Sequence, residues 1–468
     1  MGDVIEHNCG LVVTHDLHDA HAFIRSLRHR GRDAVGIAAI GEETIDVIKW
    51  RGTTYTFDLE NLHNLLPTDK YHTYMAHTRY KTRGSIDALV NEAHPHVIGG
   101  ARQVYGESHI VIRGADAAIV HNGQINAGQF NILNNRTLLT ACDSEALLHL
   151  YLEYGELGLL KNVPGSFVAA IADKNQRAVI VIRDKFGIKP GCLGRKDGKY
   201  AIASESIAFD KNGGEFIEDL DPGTVYRLFP DGTYTKQRVV SPEPQFCFFE
   251  GNYFGNVGST INRIATRTLR EVLGEKLAEE YVPDDVDLVS YVPRCPEVAA
   301  RSYADKIDLP LVELFYKMRD ERSFQGASAT ERKNSINSNL YMNDKTEPLV
   351  RGKRVLVIDD SLVRGNVALR VGSLLKNAGA EKIYFLSYTP PIGVIGEDGK
   401  PRGCEFGVDM PLTDNFIARG KTLEQISAEV GMQVHFLSTE KMLEAYQSLG
   451  MNPKNLCTFC IGGKHPFE

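Results

Sequence analysis

The stretch Val355-Leu356-Val357-Ile358-Asp359-Asp360-Ser361-Leu362-Val363-Arg364-Gly365 runs from an apolar strand directly into two acids, a hydroxyl and a glycine. Four consecutive apolar residues read as a strand buried on both faces. A helix-period set follows at Val367, Val371, Leu374, Leu375 and Ala378, with Gly379 placed to cap its C-terminal end. Lys382 to Tyr388 reads as the next strand. This strand–loop–helix–strand unit puts paired carboxylates at the carboxyl end of its first strand, where open α/β sheets bind ligands. Such carboxylates suit a ribose diol or a Mg²⁺-bound phosphate, and the helix amides behind the glycine can hold a phosphate. The alternative is a surface Asp-Asp turn that only caps the helix. The flanking strand and helix favour the ligand site, because the motif stands in the context it needs.

At 468 residues the chain exceeds one ordinary core, so two domains are expected. It is 43% hydrophobic and 24% charged, the composition of a globular protein. A net charge of −7 gives no general attraction to nucleic acid or to anionic membrane. No apolar run approaches a membrane span. The opening Met1-Gly2-Asp3-Val4-Ile5-Glu6-His7-Asn8 lacks both the basic start and the apolar core of a secretory signal. Glu6 stands where a myristoylation motif needs Ser or Thr. The expected location is the cytoplasm, and the eight cysteines are then expected to be reduced, buried, catalytic or metal-bound rather than disulfide-linked.

The first half, to about residue 235, is rich in short β-like runs: Gly10–Thr14, Gly36–Ile40, Thr44–Lys49, Tyr74–Thr78, Ala117–His121, Ser166–Ala172 and Ala178–Arg183. Helical patterns interrupt them near Ala20–Arg28 and Ser144–Tyr154. This predicts a layered α+β unit with packed sheets. Ser241-Pro242-Glu243-Pro244 reads as a linker. The second half alternates, with an amphipathic helix over Ser259–Glu280, a strand over Val286–Val292, a helix over Glu297–Lys306 and a strand over Leu311–Phe315. That alternation predicts a parallel sheet. The polar stretch Asp320–Asp344 has little periodicity and reads as a lid.

Several charged turns border the strands of the first half. Cys9-Gly10-Leu11-Val12-Val13 places a thiol at a strand start, and Arg28-His29-Arg30-Gly31-Arg32-Asp33 enters a strand. His77-Thr78-Arg79-Tyr80-Lys81-Thr82-Arg83 leaves one, His121-Asn122-Gly123 ends another, and Cys142-Asp143-Ser144-Glu145 opens a helix. Arg183-Asp184-Lys185-Phe186-Gly187-Ile188-Lys189-Pro190 and Ala203-Ser204-Glu205 follow in order. Taken one at a time, a core cysteine, an exposed arginine and a helix-capping aspartate account for these residues; their joint order does not follow from that.

Together these segments resemble the glutaminase of the N-terminal-nucleophile amidotransferases. With the second half added, the chain is similar over nearly its whole length to the glutamine phosphoribosylpyrophosphate (PRPP) amidotransferase family. The resemblance implies a layered αββα glutaminase over 9–240, then an α/β phosphoribosyltransferase-type parallel sheet over 245–468. It implies the purine-pathway reaction that passes ammonia from glutamine to PRPP and gives 5-phosphoribosylamine, glutamate and pyrophosphate. Amide hydrolysis needs a nucleophile, a base and a stabilised oxyanion. A chain-terminal cysteine supplies its own base, since its α-amine titrates near about 8. Cys9 gains that base only if residues 1–8 leave as a propeptide. By the same resemblance Asn122 and the Gly123 amide form the oxyanion hole. Arg79 holds the substrate carboxylate, Asp143 the α-ammonium, and Tyr80 and Thr82 complete the pocket. In the second half Asp359, Asp360, Ser361, Arg364 and Gly365 would meet PRPP, with Mg²⁺ at the two acids.

Cys457-Thr458-Phe459-Cys460 on its own is a redox pair, half a zinc site or two core residues. Some family relatives hold a [4Fe–4S] cluster on four cysteines: one after the linker, one before a Gly-x-Asp-Met/Ile-Pro segment, and a terminal C-x-x-C. Cys247, Cys404, Cys457 and Cys460 match those positions. Spacing alone does not separate iron–sulfur from zinc; the resemblance implies the cluster, in a structural role. Cys142, Cys192 and Cys295 are left over, the first two as ordinary buried residues. The family also implies a homo-oligomer, dimer or tetramer, with no nucleic-acid or membrane partner.

The acceptor half departs from the family pattern. Where the family continues Arg-Gly-Thr-Thr-Ser, this chain has Arg364-Gly365-Asn366-Val367-Ala368. The pyrophosphate loop, Pro-Asp-Ser-Gly in the family, is Pro293-Arg294-Cys295-Pro296, and the mobile loop is Glu321-Arg322-Ser323-Phe324. Each lost charge-assisted bond is worth roughly 1.5–3 kcal/mol. Two other readings therefore stand beside the first: a glutaminase paralogue feeding ammonia to another acceptor, or a non-enzymatic nucleotide-binding scaffold.

Overall fold

The computed structural model describes residues 9–79, 90–126, 133, 138–317, 340–342, 345–408 and 410–468. The N-terminal half is one sheet of thirteen strands folded back on itself. Its first eight strands are β1 (Gly10–Thr14), β2 (Ala34–Ile40), β3 (Ile45–Arg51), β4 (Thr73–Arg79), β5 (His96–Tyr105), β6 (His109–Ile125), β7 (Gly165–Asp173) and β8 (Val179–Arg183).

The fold-back is legible in side-chain alternation. Leu11, Val13, Ala38 and Met75 from β1, β2 and β4 share a buried cluster with Ala118, Val120, Val168 and Val181 from β6, β7 and β8. Alternate residues of the same strands face the other way. Val12, Ile37 and Ala39 meet Leu17, Ala20, Phe23 and Ile24 of helix α1 (Leu17–Ser26). Ala117, Ile119, Phe167 and Ala169 meet Leu147, Leu148 and Tyr151 of the helix Asp143–Asn162. The layers are thus helix, sheet, sheet, helix. Strands so covered must be apolar on both faces, which explains the wholly buried Ala34–Ile40 and Gly10–Thr14.

The C-terminal half carries a four-stranded parallel sheet, in the order Leu288–Tyr291, Arg354–Asp359, Lys382–Ser387 and Gln433–Phe436. The helix Asn366–Asn377 follows the Arg354–Asp359 strand, as the opening motif predicts. Gly365 caps its start at φ +82°, and Gly379 lies beyond its end at φ +81°. Both positions are left-handed backbone, which glycine adopts without steric cost.

Two expectations shift. The amphipathic helix begins at Thr266, not Ser259, because a small hairpin, Thr260–Ile261 with Ile264–Ala265, occupies the preceding residues. Leu311 makes only a single bridge to Val289. The strand there is Phe315–Lys317, and it pairs with Leu340–Met342 instead of extending the parallel sheet. Most of the stretch Asp320–Asp344, including Arg322, Ser323 and Phe324, lies outside the described residues. Among the described residues no helix is long and apolar enough to cross a membrane.

Gly274 shows how closely the helices Thr266–Glu280 and Glu297–Lys306 approach: a Cβ there would sit 2.1 Å from the Ala299 carbonyl oxygen and 2.4 Å from Ser302 Oγ. In an open helix Gly→Ala stabilises by about 1 kcal/mol. Here Gly274→Ala is expected to reverse that sign and cost roughly 1–3 kcal/mol through overpacking. The midpoint of denaturant unfolding checks this; an unchanged or raised midpoint would show that the helices part at no cost.

Candidate active site

Cys9 is fully buried and directly precedes β1, which fixes its position closely. Its backbone nitrogen donates to Asn122 Oδ1 at 3.2 Å. Asn122 lies in the long strand β6, is itself buried, and keeps its Nδ2 without a hydrogen-bond partner among the described residues. A buried amide donor without a partner costs roughly 1–3 kcal/mol. A developing oxyanion next to Cys9 is what that donor can receive. Gly123 beside it has φ +150°, and a Cβ would meet the Ser166 carbonyl oxygen at 1.9 Å. Only glycine fits there.

Arg79 closes β4 at full burial, with Nη2 3.0 Å from Glu92. Asp143 opens the helix Asp143–Asn162, where Oδ2 accepts from the Ile125 amide at 2.8 Å. Burial pushes its carboxyl up to about 7, against the hydrogen bonds from Ile125 and Ser144 that oppose the shift. Cys9, Asn122, Gly123 and Asp143 are therefore gathered by strand pairing and by a helix start; Tyr80 and Thr82 lie outside the described residues. Behind them is a buried histidine group. His77 Nε2 lies 3.0 Å from the His121 carbonyl, and Ser144 Oγ bridges His94 Nε2 at 2.7 Å and His121 Nδ1 at 2.8 Å. Burial pulls His77 and His121 down to about 3, so both are neutral at physiological pH.

The sequence reading did not single out Arg30. Its Nε donates to the Cys9 carbonyl at 3.0 Å, Nη1 to Glu205 at 2.5 Å, and Nη2 to both oxygens of Glu250 at 3.0 Å. Burial alone would lower its pKa, but Glu250 and Glu205 outweigh burial and raise it. Glu205 also accepts from the Asn256 amide, Ser259 Oγ and His29. Glu250 reaches Lys189 Nζ at 3.7 Å, and that ammonium donates to the Gly407 carbonyl at 3.0 Å. One buried ion cluster thus ties the thiol's backbone to both halves of the chain. The available signal was Glu250 itself, a lone acid inside the aromatic run Phe246-Cys247-Phe248-Phe249-Glu250-Gly251-Asn252-Tyr253-Phe254.

A cavity of about 430 Å³ opens between the halves, bordered by Asp359, Asp360, Ser361, Arg364 and Gly365 at the end of the central parallel strand. Asp359 and Asp360 are nearly buried. Burial raises both carboxyls, Asp360 to about 6, and the charge of Asp360 adds to the rise at Asp359. Ser361 Oγ donates to Asp360 at 2.8 Å, and Arg364 pairs with Asp414. The rim is basic: Arg270, Arg294 and Lys317 from the second half, and Arg25, Arg28, Arg32 and Lys211 from the first. The departing residues Arg294, Cys295 and Asn366 also line it. Cys295 Sγ is turned toward the Asn252 and Tyr253 carbonyls at 3.6 and 3.5 Å. The arrangement suits a polyanion with a metal ion at the acid pair.

The four matched cysteines meet around a separate apolar cavity lined also by Ile188, Phe249, Phe406, Val408, Met410 and Phe459. Cys247 and Cys457 stand opposite each other where Phe246–Cys247 pairs with Leu456–Cys457. Burial raises the thiols of Cys247 to about 11 and Cys457 to about 12; at Cys460 burial is joined by the charges of Cys404, Cys457 and Cys247. A cationic metal centre would offset that raised cost of ionisation. Among the described residues no three of these sulfurs come within 4.8 Å of one another.

The glutamine amidotransferase domain family matches residues 104–243. The amidophosphoribosyltransferase of Archaeoglobus fulgidus is 32% identical over 463 residues, covering 96% of this chain and 94% of that protein. That of Bacillus subtilis is 28% identical, covering 95% and 90%. The solved glutamine PRPP amidotransferase of B. subtilis, complexed with ADP and GMP, superposes with a TM-score of 0.79 at 26% identity, covering 98% of this chain and 97% of that one.

Replacing Arg30 with Met leaves Glu205 and Glu250 buried without their shared cation, and is expected to cost roughly 3–5 kcal/mol. Arg30→Lys should recover only part, because one ammonium cannot serve three acceptors in a plane. Denaturant midpoints of the three proteins measure the order; equal midpoints would show the cluster to be dispensable.

Proposed function

The chain belongs to the amidophosphoribosyltransferase family, and on that premise we propose how its own residues carry the reaction. The protein is a glutamine-dependent amidotransferase that hydrolyses glutamine and passes the ammonia to PRPP, giving 5-phosphoribosylamine, glutamate and pyrophosphate. The two halves act as domains, 9–240 for the glutaminase and 245–468 for the transfer.

Cys9 is the nucleophile, with its own α-amine as base once residues 1–8 are removed. Asn122 Oδ1 holds that nitrogen, at 3.2 Å, while Asn122 Nδ2 and the Gly123 amide receive the oxyanion. Arg79 takes the substrate carboxylate, and Asp143 the α-ammonium, with Tyr80 and Thr82 beside them. In the second site Asp359 and Asp360 accept the ribose diol, and Ser361, Arg364 and Gly365 approach the 5′-phosphate. The residues present fit Mg²⁺, since paired carboxylates at a ligand cavity are hard oxygen donors; the ion would neutralise the pyrophosphate.

The observation that carries this reading is a basic cavity over the acid pair, built from both halves. The hydroxyl donors absent after Gly365 and at Cys295, and the amide donor absent at Pro296, would be offset by arginines and lysines around the rim. That lining favours PRPP over an uncharged acceptor. Cys247, Cys404, Cys457 and Cys460 would hold a [4Fe–4S] cluster, which crosslinks the linker, a loop and the chain end rather than reacting. The protein works in the cytoplasm, as a homo-oligomer without a nucleic-acid or membrane partner.

Glutamine-dependent pyrophosphate release from PRPP with Mg²⁺, on protein purified without oxygen, tests the reading. The active species should have an intact mass that begins at Cys9. Cys9→Ala should lose glutamine-dependent release while keeping release driven by free ammonia. Glutamate formation that ignores PRPP would overturn the acceptor assignment.

Asp143 adds a pH signature. Its carboxylate form fills as pH rises through about 7, so the KM for glutamine should climb about tenfold per unit below that pH. Asp143→Asn should give a high KM that no longer varies with pH; a wild-type KM flat from pH 5.5 to 8.5 would remove Asp143 from the ammonium site.

A further inference from the structure

The buried histidine group behind the thiol site contains a donor set that the amidotransferase chemistry does not use. Nitrogen atoms of His94 and His96 and the sulfur of Cys142 all lie within 4.8 Å of one another, and all three residues are buried. They come from separate places in the chain. His94 and His96 flank Pro95 where β5 begins, and Cys142 is the residue before the helix Asp143–Asn162. We propose that His94, His96 and Cys142 form a binding site for a borderline-soft divalent ion, best matched by Zn²⁺.

Donor chemistry comes first. Two imidazoles and one thiolate are a zinc donor set that leaves a fourth position open. Tetrahedral bonds of ordinary length put ligand atoms about 3.3–3.8 Å apart, so the set closes on an ion with an ångström of side-chain movement. His96 Nε2 has no hydrogen-bond partner among the described residues, although it is fully enclosed. Such a nitrogen is costly unless something coordinates it.

The surroundings are also those of a metal centre. Ser144 Oγ, 2.7 Å from His94 Nε2 and 2.8 Å from His121 Nδ1, is an outer hydroxyl that fixes ring orientation. Asp143 Oδ1 lies 3.9 Å from Cys142 Sγ. Lys49 donates to the Asn91 and Ala93 carbonyls on the segment leading to His94, and burial pulls its pKa down to about 7, which weakens its repulsion of an ion. The thiolate formed at Cys142 supplies the negative charge the ion needs. On binding, the sulfur–metal bond forms as the thiol proton leaves to solvent.

The ion would pin the start of the helix carrying Asp143 to the start of β5. Occupancy would therefore set the rigidity of the glutamine side of the molecule without taking part in the reaction.

Zn²⁺ chloride offered to the full chain with its cysteine cluster loaded, followed by desalting and elemental analysis, tests the site. Wild type should retain one equivalent more than His96→Gln and one more than Cys142→Ser, both shown folded by their unfolding midpoints. With Co²⁺ in place of Zn²⁺, wild type should show tetrahedral d–d bands and a thiolate-to-cobalt charge-transfer band of single-thiolate intensity. Equal zinc content in the three proteins, or none in wild type, overturns the proposal. Should either variant fail to fold, the wild-type cobalt spectrum decides: the absence of a single-thiolate band rejects the site.

Discussion

The guanidinium of Arg30 is the constraint on which the rest of the structure depends. It is buried, and it reaches the Cys9 carbonyl, Glu205 and Glu250 at once. Desolvating one cation and two anions is costly, and only dense hydrogen bonding makes the burial tolerable. Glu205 meets that demand by accepting from Asn256 and Ser259, and Glu250 by lying near Lys189. The planar fork of arginine satisfies acceptors in three directions, which an ammonium on a flexible stem does not. The same cluster therefore fixes where β1 begins and how the residues after the linker lie against the first half.

That coupling bears on the chemistry. A nucleophile held directly before a buried strand would have little freedom to drift, and oxyanion donors beside it could be rigid as well. Asn122 and Gly123 belong to β6, whose pairing with β7 runs from Ala117 to Ile125. Preorganised donors of this kind cost no reorganisation when charge develops. Residues 256 and 259, bonded to Glu205, lie just after Tyr253 and Phe254 of the basic cavity. The ion cluster thus links the Cys9 backbone to the segment that lines the basic cavity.

Much of this was legible from the chain alone. Gly10–Thr14 is legible to the residue, because its short length and two valines favour a strand over a helix. The Asp359–Asp360 unit was read correctly because strand, acids, glycine and helix are contiguous. The start of the Thr266 helix was misplaced, because Ser259–Ala265 carries an apolar pattern that serves a hairpin as well as a helix. Leu311–Phe315 failed for a related reason: a short apolar run does not say which neighbour it pairs with, and pairing is tertiary. Arg30 with Glu250, and His94 with Cys142, were invisible for a different reason. Their partners lie 220 and 48 residues apart in sequence, and nothing local marks them.

The altered phosphate loops make the last step. A threonine or serine hydroxyl binds phosphate through one short, directional bond, whereas an arginine acts through charge over several ångströms. Exchanging the first for the second keeps attraction for a polyanion and relaxes the geometry with which it is held. In this chain part of the cavity's basic lining, Arg25, Arg28, Arg32 and Lys211, precedes the linker. A polyanion bound in that cavity would draw on the interface that Arg30 holds together. A substrate gripped by both halves would have its affinity tied to their alignment, the same alignment that holds the Cys9 backbone against Arg30.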